Sequence, residues 1–353
     1  MKHATLLSAG TPLLVAAAAV FAVGDLNPPA GSVTATGKRL TELEPRIAIS
    51  ATNTPGDGIS LFRITQPGSY YLTGNVTGEP AKHGITVLAT GVTIDLNGFD
   101  LAGVAGSFSG ITTSGVQRNL TVRNGTVRGW GQTGVNLSNS ASGLLVQGIR
   151  AQGNGLDGIA VVHQAVIADC VSTLNGRDGI TGFEDVVFKD CVASLNTTRG
   201  FSVTNHGHFS DCVSEENGTD GFGIGNGSRI VDCIANTNTG DGIEGGTDNY
   251  LSANTLDGNG AATGDGAGIL LTSIDNRVEG NNCTDNDRGV DVNAGGNFIV
   301  RNTCTGNTTN WDIVANNVCG PIVDRTSPAS AAILGNSAPS SLGSTEPNAN
   351  FTY

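Results

Sequence analysis

Two columns of carboxylates recur in this sequence at a fixed interval. Carboxylates held at set spacing can bind a metal or perform acid–base work. The first column is Asp169, Asp190, Asp211 and Asp232, 21 residues apart. The second is Asp157, Asp178, Asp220 and Asp241, with Arg199 interrupting it and Arg288 occupying its place further on. If members of a column stack as neighbours in a parallel sheet, each adjacent pair costs about 0.8 kcal/mol even in bulk water. Something has to offset that repulsion. For the first column two accounts stand. Backbone N–H groups at a bend can compensate carboxylates splayed outward, or calcium can gather the oxygens. Calcium is therefore the candidate cofactor, though nothing in the sequence requires one.

Asp-Gly turn chemistry accounts for most of the second column. Yet this edge adjoins a strand whose outward positions include Thr181, Ser202, Glu244 and Asp291, and His163, His206 and His208 lie near the far end of such strands. Carboxylates, an arginine and histidines on one shallow face suit sugar binding or acid–base catalysis. Asp178, Arg199, Asp220, Asp241 and Glu244 are thus the catalytic candidates. His206 and His208 are candidate binding residues, against the reading that histidines without metal-ligand spacing are plain surface groups. Trp130, in Gly129-Trp130-Gly131, is either a platform for a sugar ring or a packed loop aromatic.

A third column, Cys170, Cys191, Cys212 and Cys233, has the same period. Stacked free thiols, disulfides and a metal site are its three readings. In-register parallel strands aim Cβ atoms side by side, which strains a disulfide dihedral. With seven cysteines, at least one stays unpaired whatever the connectivity.

The elements that must position these residues are legible from further columns. Asn154, Asn175, Asn196, Asn217 and Asn238 keep the 21-residue phase. So do Val146, Ile167, Phe188, Phe209 and Ile230, and the pairs Gly158-Ile159, Gly179-Ile180, Gly200-Phe201, Gly221-Phe222 and Gly242-Ile243. With looser spacing the Gly-apolar pairs continue to Gly84-Ile85 upstream and Gly289-Val290 downstream, with Asp312-Ile313 as a degenerate last member. Internal repeats of this length signal stacked architectures. A coil of two or three short strands closes in roughly 22 residues, and successive coils stack about 4.8 Å apart. Equivalent residues then lie above one another, which explains columns of constant type. The asparagine column is read as structural, its side chains hydrogen-bonding along the rod. The predicted fold is all-β, a right-handed parallel β-helix of about ten to eleven coils with N- and C-terminal caps. The boundaries are 1–24 for an export signal, 25–83 for the N-terminal cap, 84–313 for the coils and 314–353 for the C-terminal cap and tail.

The net charge of −13 argues against nucleic acid, which requires a cationic stripe. The apolar run Leu13–Val23 behind Lys2 and His3 reads as a signal for export. No later segment is apolar enough to span a membrane as a helix.

The blocks PGSYYLTGNVTG (67–78), KHGITV (82–87), VTIDLNGFDLAG (92–103), NLTVRNGTVRGWG (119–131), DNDRGVDV (285–292) and GNTTNWDIVANN (306–317) carry a resemblance. The chain resembles exported bacterial right-handed β-helix repeat proteins of the pectate-lyase-like superfamily. That resemblance implies fold and export. No catalytic residue transfers: Asn236-Thr237-Asn238 only superficially matches the galacturonase-type Asn-Thr-Asp, His206-Gly207-His208 is not Gly-His-Gly, and there is no Asp-Asp pair. The expected function is a polysaccharide-binding or surface-structural rod. The alternative is a polysaccharide lyase or glycoside hydrolase acting on acidic polysaccharide.

Overall fold

The computed structural model describes residues 45–260, 266–324, 326 and 345–353. The expected export signal, residues 25–44 of the expected N-terminal cap and most of the expected C-terminal tail lie outside them. Among the described residues there are 35 strands and no helix. Every strand pairing is parallel; one isolated antiparallel bridge joins Pro55 to Phe62.

One coil shows the plan. Phe201–Asn205, His208–Ser210 and Val213–Glu215 are its three strands. They contribute to a first, a second and a third sheet, each running the length of the rod. Alternation within a strand sends one residue inward and the next outward. One column of the second sheet runs Ile47, Tyr70, Ile94, Val122, Val146, Ile167, Phe188, Phe209, Ile230, Leu251, Val278, Ile299 and Cys319, each paired with the next and buried from Tyr70 to Ile299. The rod therefore makes about 13 turns, slightly more than the ten to eleven expected.

The difference lies at the ends. Phe62 pairs with Ile85 and Tyr70 with Ile94, so part of the stretch read as a cap is already coil. At the other end Trp311, not Ile313, pairs with Val290; Ile313 pairs with Val292. An indole takes the aliphatic column at this rung, two residues before the position that aliphatic spacing points to. The last rungs of the third sheet are non-sequential: Asn350–Thr352 lies between Thr303–Thr305 and Ile322–Asp324.

The core is a narrow prism filled from all three sides. Phe188 stacks on Phe209 with centroids 4.2 Å apart, and Phe201 on Phe222 at 5.0 Å. The two stacks meet edge to face across the interior. Burying each such side chain contributes about 1.5–3 kcal/mol. The third sheet is lined by small residues, Ala151, Ser172, Ala193, Ser214 and Ala235, all fully buried. They allow the neighbouring bend to come close. Ser172 and Ser214 donate to the carbonyls of Gly179 and Gly221 at 2.6 and 2.8 Å. A Cβ on Gly158 or Gly200 would sit about 2.0 Å from those serine hydroxyls, so the glycine column is a packing requirement.

Three asparagine ladders hold the bends. In the first, Asn154, Asn175, Asn196, Asn217, Asn238, Asn259 and Asn286 each donate from Nδ2 to the next Oδ1 at 2.9–3.0 Å. Each Oδ1 also accepts the backbone N–H of the preceding asparagine. A second ladder runs Asn249, Asn276, Asn297, Asn317. The third, Asn254, Asn281, Asn302, Asn350, continues the cysteine column: Asn254 Oδ1 accepts the N–H of Cys233 at 3.0 Å. The thiols and the carboxamides occupy one kind of bend. All seven cysteines are free; six are buried and Cys319 is exposed.

Asn196→Ala removes four side-chain hydrogen bonds and takes from the buried Asn175 N–H its acceptor. It should destabilise the rod by about 3 kcal/mol, the scale of a broken buried polar network. Gln147→Ala on the exposed surface should cost about 0.5 kcal/mol or less. Urea denaturation followed by circular dichroism measures both; equal midpoints would show that the ladder carries no stability.

Candidate functional site

The outward column of the first sheet passes through Arg63, Thr86, Thr112, Asn136, Ala160, Thr181, Ser202, Gly223, Glu244, Leu270, Asp291 and Asp312 in strict register. Three concavities lie along this one column. The first, about 440 Å³, is bounded by Asp57, Arg63, His83, Thr86, Thr112 and Asn136. The second, about 290 Å³, shares Asn136 and continues past Asp157, Ala160, Arg177 and Thr181. The third, about 340 Å³, lies over Ser202, Thr204, Gly223, Gly225, Glu244 and Thr272 beneath Arg199.

The third concavity exists because glycine replaces outward side chains at Gly223, Gly225 and Gly246. The Arg199 side chain crosses the bare backbone of Gly223, where a Cβ would stand 2.6 Å from Nε. Its Nε donates to Asp220 Oδ2 at 2.9 Å and its Nη2 to Glu244 Oε2 at 2.5 Å. Sequence reading placed Asp178, Arg199, Asp220, Asp241 and Glu244 on one edge, and the structure brings Arg199, Asp220 and Glu244 into direct contact.

The aspartates of that column have a further job. Asp178 Oδ1 accepts the N–H of Arg199 at 3.0 Å, Asp220 Oδ1 that of Asp241 at 3.1 Å, and Asp241 Oδ1 that of Ala267 at 2.7 Å. Each carboxylate caps the backbone of the next coil, the physical content of the turn reading. Thr198 also donates its hydroxyl to Asp178, and Arg177 pairs with Asp157. Asp241 is 8% exposed. Burial, opposed by the Ala267 N–H and reinforced by the charges of Asp220 and Glu244, pushes its carboxyl up to about 7.

Other candidates sit elsewhere. Trp130 is 1% exposed, its Nε1 donating to the Leu101 carbonyl at 2.9 Å. The ring fills space left by Gly78, Gly84 and Gly110 and lies in the core. His206 is an exposed bend residue with φ 50°, its Nδ1 3.3 Å from Asp185 and 3.6 Å from Glu184. His208 begins the second-sheet strand of its coil, 3.3 Å from Arg229. Neither lines the concavity under Arg199.

The first acidic column gives no ligand set. Asp169, Asp190, Asp211 and Asp232 are exposed bend residues with φ of 51–55°. Aspartate tolerates this left-handed conformation better than most residues. The carboxylates reach solvent one per coil, and among the described residues no group of three His, Cys, Asp or Glu side chains could hold a metal. What the structure shows of this column is bend chemistry.

Sequence reasoning missed the first concavity. Burial pushes His83 below the usual imidazole range, and its Nδ1 accepts the Ser109 N–H at 3.1 Å. Asp57 pairs with Arg63 at 3.3 Å. These residues lie at the edge of the repeat, where no column of constant type marks them.

Residues 109–256 match the family described as the right handed beta helix region. The fold is thus a right-handed parallel β-helix. The β-helix is similar to the A-modules of two Azotobacter vinelandii mannuronan C-5 epimerases. For AlgE4 the TM-score is 0.56, with 18% identity, covering 77% of this chain and 88% of that one. For AlgE6 it is 0.54, with 18% identity over 77% and 86%. It is also similar to the Dettilon tailspike protein, TM-score 0.53 and 14% identity, over 72% of this chain and 59% of that one. At these identities the likeness is one of fold. No curated protein matches the sequence significantly.

Because Asp241 binds its proton more tightly folded than unfolded, it is neutral in the rod and charged in the open chain between pH 3.8 and about 7. Stability should therefore fall as pH rises through that window. Asp241→Asn keeps an acceptor for the Ala267 N–H and removes the titration. Its melting temperature should exceed the parent's at pH 8 and match it near pH 4. An identical pH dependence in both proteins would place the Asp241 proton elsewhere.

Proposed function

We propose that this β-helix binds a polysaccharide chain laid along its first sheet, parallel to the rod axis. The observation that carries the reading is the alignment of three shallow polar concavities on one outward column. From Arg63 to Leu270 that column spans about 40 Å at the spacing of parallel strands. Hydroxyls, carboxamides and paired charges line it, as Thr86, Thr112, Asn136, Thr181, Ser202 and Thr204 show. Small-molecule sites are usually deep and mostly apolar; a long, open, hydroxyl-rich groove instead suits a linear polymer of hydroxyl groups. The structurally similar epimerases, named for mannuronan, agree with that ligand class by fold analogy alone.

A second reading, a polysaccharide lyase or glycoside hydrolase, draws on one observation. Arg199 and Glu244 meet in the third concavity beside Asp241, a carboxyl held near neutrality. Carboxyls whose environments push their proton affinities apart are the usual acid–base pairing. The binding reading is preferred because Asp178, Asp220 and Asp241 are all engaged in capping backbone N–H groups. Both readings take the chain to be exported, on the strength of its apolar leader. Among the described residues no helix is long and apolar enough to cross a membrane.

A glycan array probed with the full chain tests the proposal. Binding should be lost in Ser202→Trp, which fills the third concavity, and kept in Ser194→Trp on the third sheet. Equal loss or equal retention in the two variants would remove the first sheet from consideration. New reducing ends released by the parent, with or without calcium, and absent for Glu244→Gln would instead establish the enzymatic reading.

A further inference from the structure

The second sheet carries an outward column unlike any other on the rod. His208, Arg229, Tyr250, Arg277 and Phe298 follow one another in register over five successive coils. Cationic and aromatic residues alternate. Arg229 lies over the Tyr250 ring, Cζ 5.5 Å from its centroid, and Arg277 over Phe298 at 4.9 Å. His208 Nε2 is 3.3 Å from Arg229 Nη1. A buried-edge carboxylate braces the group. Glu279 accepts the Tyr250 hydroxyl at 2.7 Å, Arg277 Nε at 2.7 Å and Arg301 Nη2 at 3.0 Å. The Tyr250 hydroxyl, with the arginines, holds the Glu279 carboxyl below its ordinary range, so it stays charged.

Three guanidinium groups and one bracing carboxylate gather on this strip of a chain of net charge −13. The bend column Asp169, Asp190, Asp211, Asp232 reaches the coils of His208 and Arg229 and then continues as Ala253, Gly280 and Arg301, while Asp248 and Asp275 are exposed at the bends before Tyr250 and Arg277. Arg229 and Arg277 are exposed, and Tyr250 and Phe298 are half-buried. Alternate rungs are about 9.6 Å apart, twice the strand spacing, close to the length of two linked pyranose rings.

We propose that this second-sheet column is a binding site for a linear glycan bearing carboxylates. The planar guanidinium fork matches a carboxylate with two parallel hydrogen bonds, while Tyr250 and Phe298 receive the apolar faces of intervening sugar rings. The site is separate from the first-sheet groove and does not rest on the function proposed for it. Glu279 is a positioning residue: it fixes the arms before the ligand arrives, so less side-chain entropy is lost on binding.

Affinity electrophoresis of the full chain through gels containing polygalacturonate, neutral hydroxyethylcellulose or double-stranded DNA tests this. Retardation is expected in polygalacturonate and absent in the neutral polymer. The double variant Arg229→Gln/Arg277→Gln should weaken binding by about tenfold or more, the loss of charge-assisted hydrogen bonds. Tyr250→Ala, which leaves the charge unchanged, should weaken it too, while Tyr250→Phe, which keeps the ring, should bind. Ser194→Trp on the third sheet should have no effect, and retardation lost in Ser202→Trp but kept in the arginine double variant would assign binding to the first-sheet groove and overturn the proposal. No retardation of the parent, or an unaffected arginine pair, overturns the proposal. So does Tyr250→Ala binding as the parent does, since the patch would then act by charge without stacking. Equal retardation by DNA would make it a general polyanion surface and overturn the glycan assignment.

Discussion

A carboxamide can donate and accept along one line, and the rod depends on that property. At each bend the chain turns through a tight corner and leaves an N–H with no partner in the strand ladder. Asparagine resolves this twice over: its Oδ1 takes the N–H of the coil beneath and its Nδ2 passes a bond to the coil above. Satisfying the group locally would need only one residue per corner. Satisfying it from the neighbouring coil ties each corner to the next and fixes the register. The strand pairings, the aromatic stacks and the outward columns all inherit that register. Where cysteine takes the corner, at Cys170 to Cys233, the thiols donate to nearby carbonyls such as those of Ala168 and Lys189, a weaker arrangement confined to four rungs.

Fixed register also explains what kind of surface the protein presents. A solenoid cannot readily build a deep pocket, because neighbouring side chains stand about 4.8 Å apart and parallel. It makes features by deletion and alternation instead. Glycine at Gly223, Gly225 and Gly246 deletes side chains and opens a groove that one long arginine then crosses. Alternation of arginine and ring on the second sheet makes a ribbed strip. Both features run along the rod, and both therefore address extended ligands.

Much of this was legible in the sequence wherever a column keeps its type. The asparagine ladder, the inward Ile/Phe column and the cysteine column stand at 21-residue spacing, and the structure sets all three at interior or bend positions. Legibility failed where type changes. Trp311 replaces an aliphatic residue, so the last rung was assigned to Ile313. Trp130 fills a gap made by three glycines from other coils, a relation no spacing reveals. His83 and Asp57 fall on the first coils, where loops of different length obscure the period. The column from His208 to Phe298 alternates in chemistry, so a search for constancy passes over it. The outward placement of Asp169, Asp190, Asp211 and Asp232 follows from their left-handed backbone, which a carboxylate count cannot show.

Between Ile149 and Gly242 the coils share one length, one corner chemistry and one set of partners above and below. A coil taken out there, or one put in, would leave matching faces to rejoin. Length in this part of the molecule is thus close to a free variable, changeable in steps of a single rung. Each step would slide the glycine-cut groove near Glu244 along the axis relative to the concavity at His83, while the chemistry of both stayed the same. The rod behaves as a ruler with movable marks, and the repeat of whatever lies along it is the scale against which the number of identical coils is set.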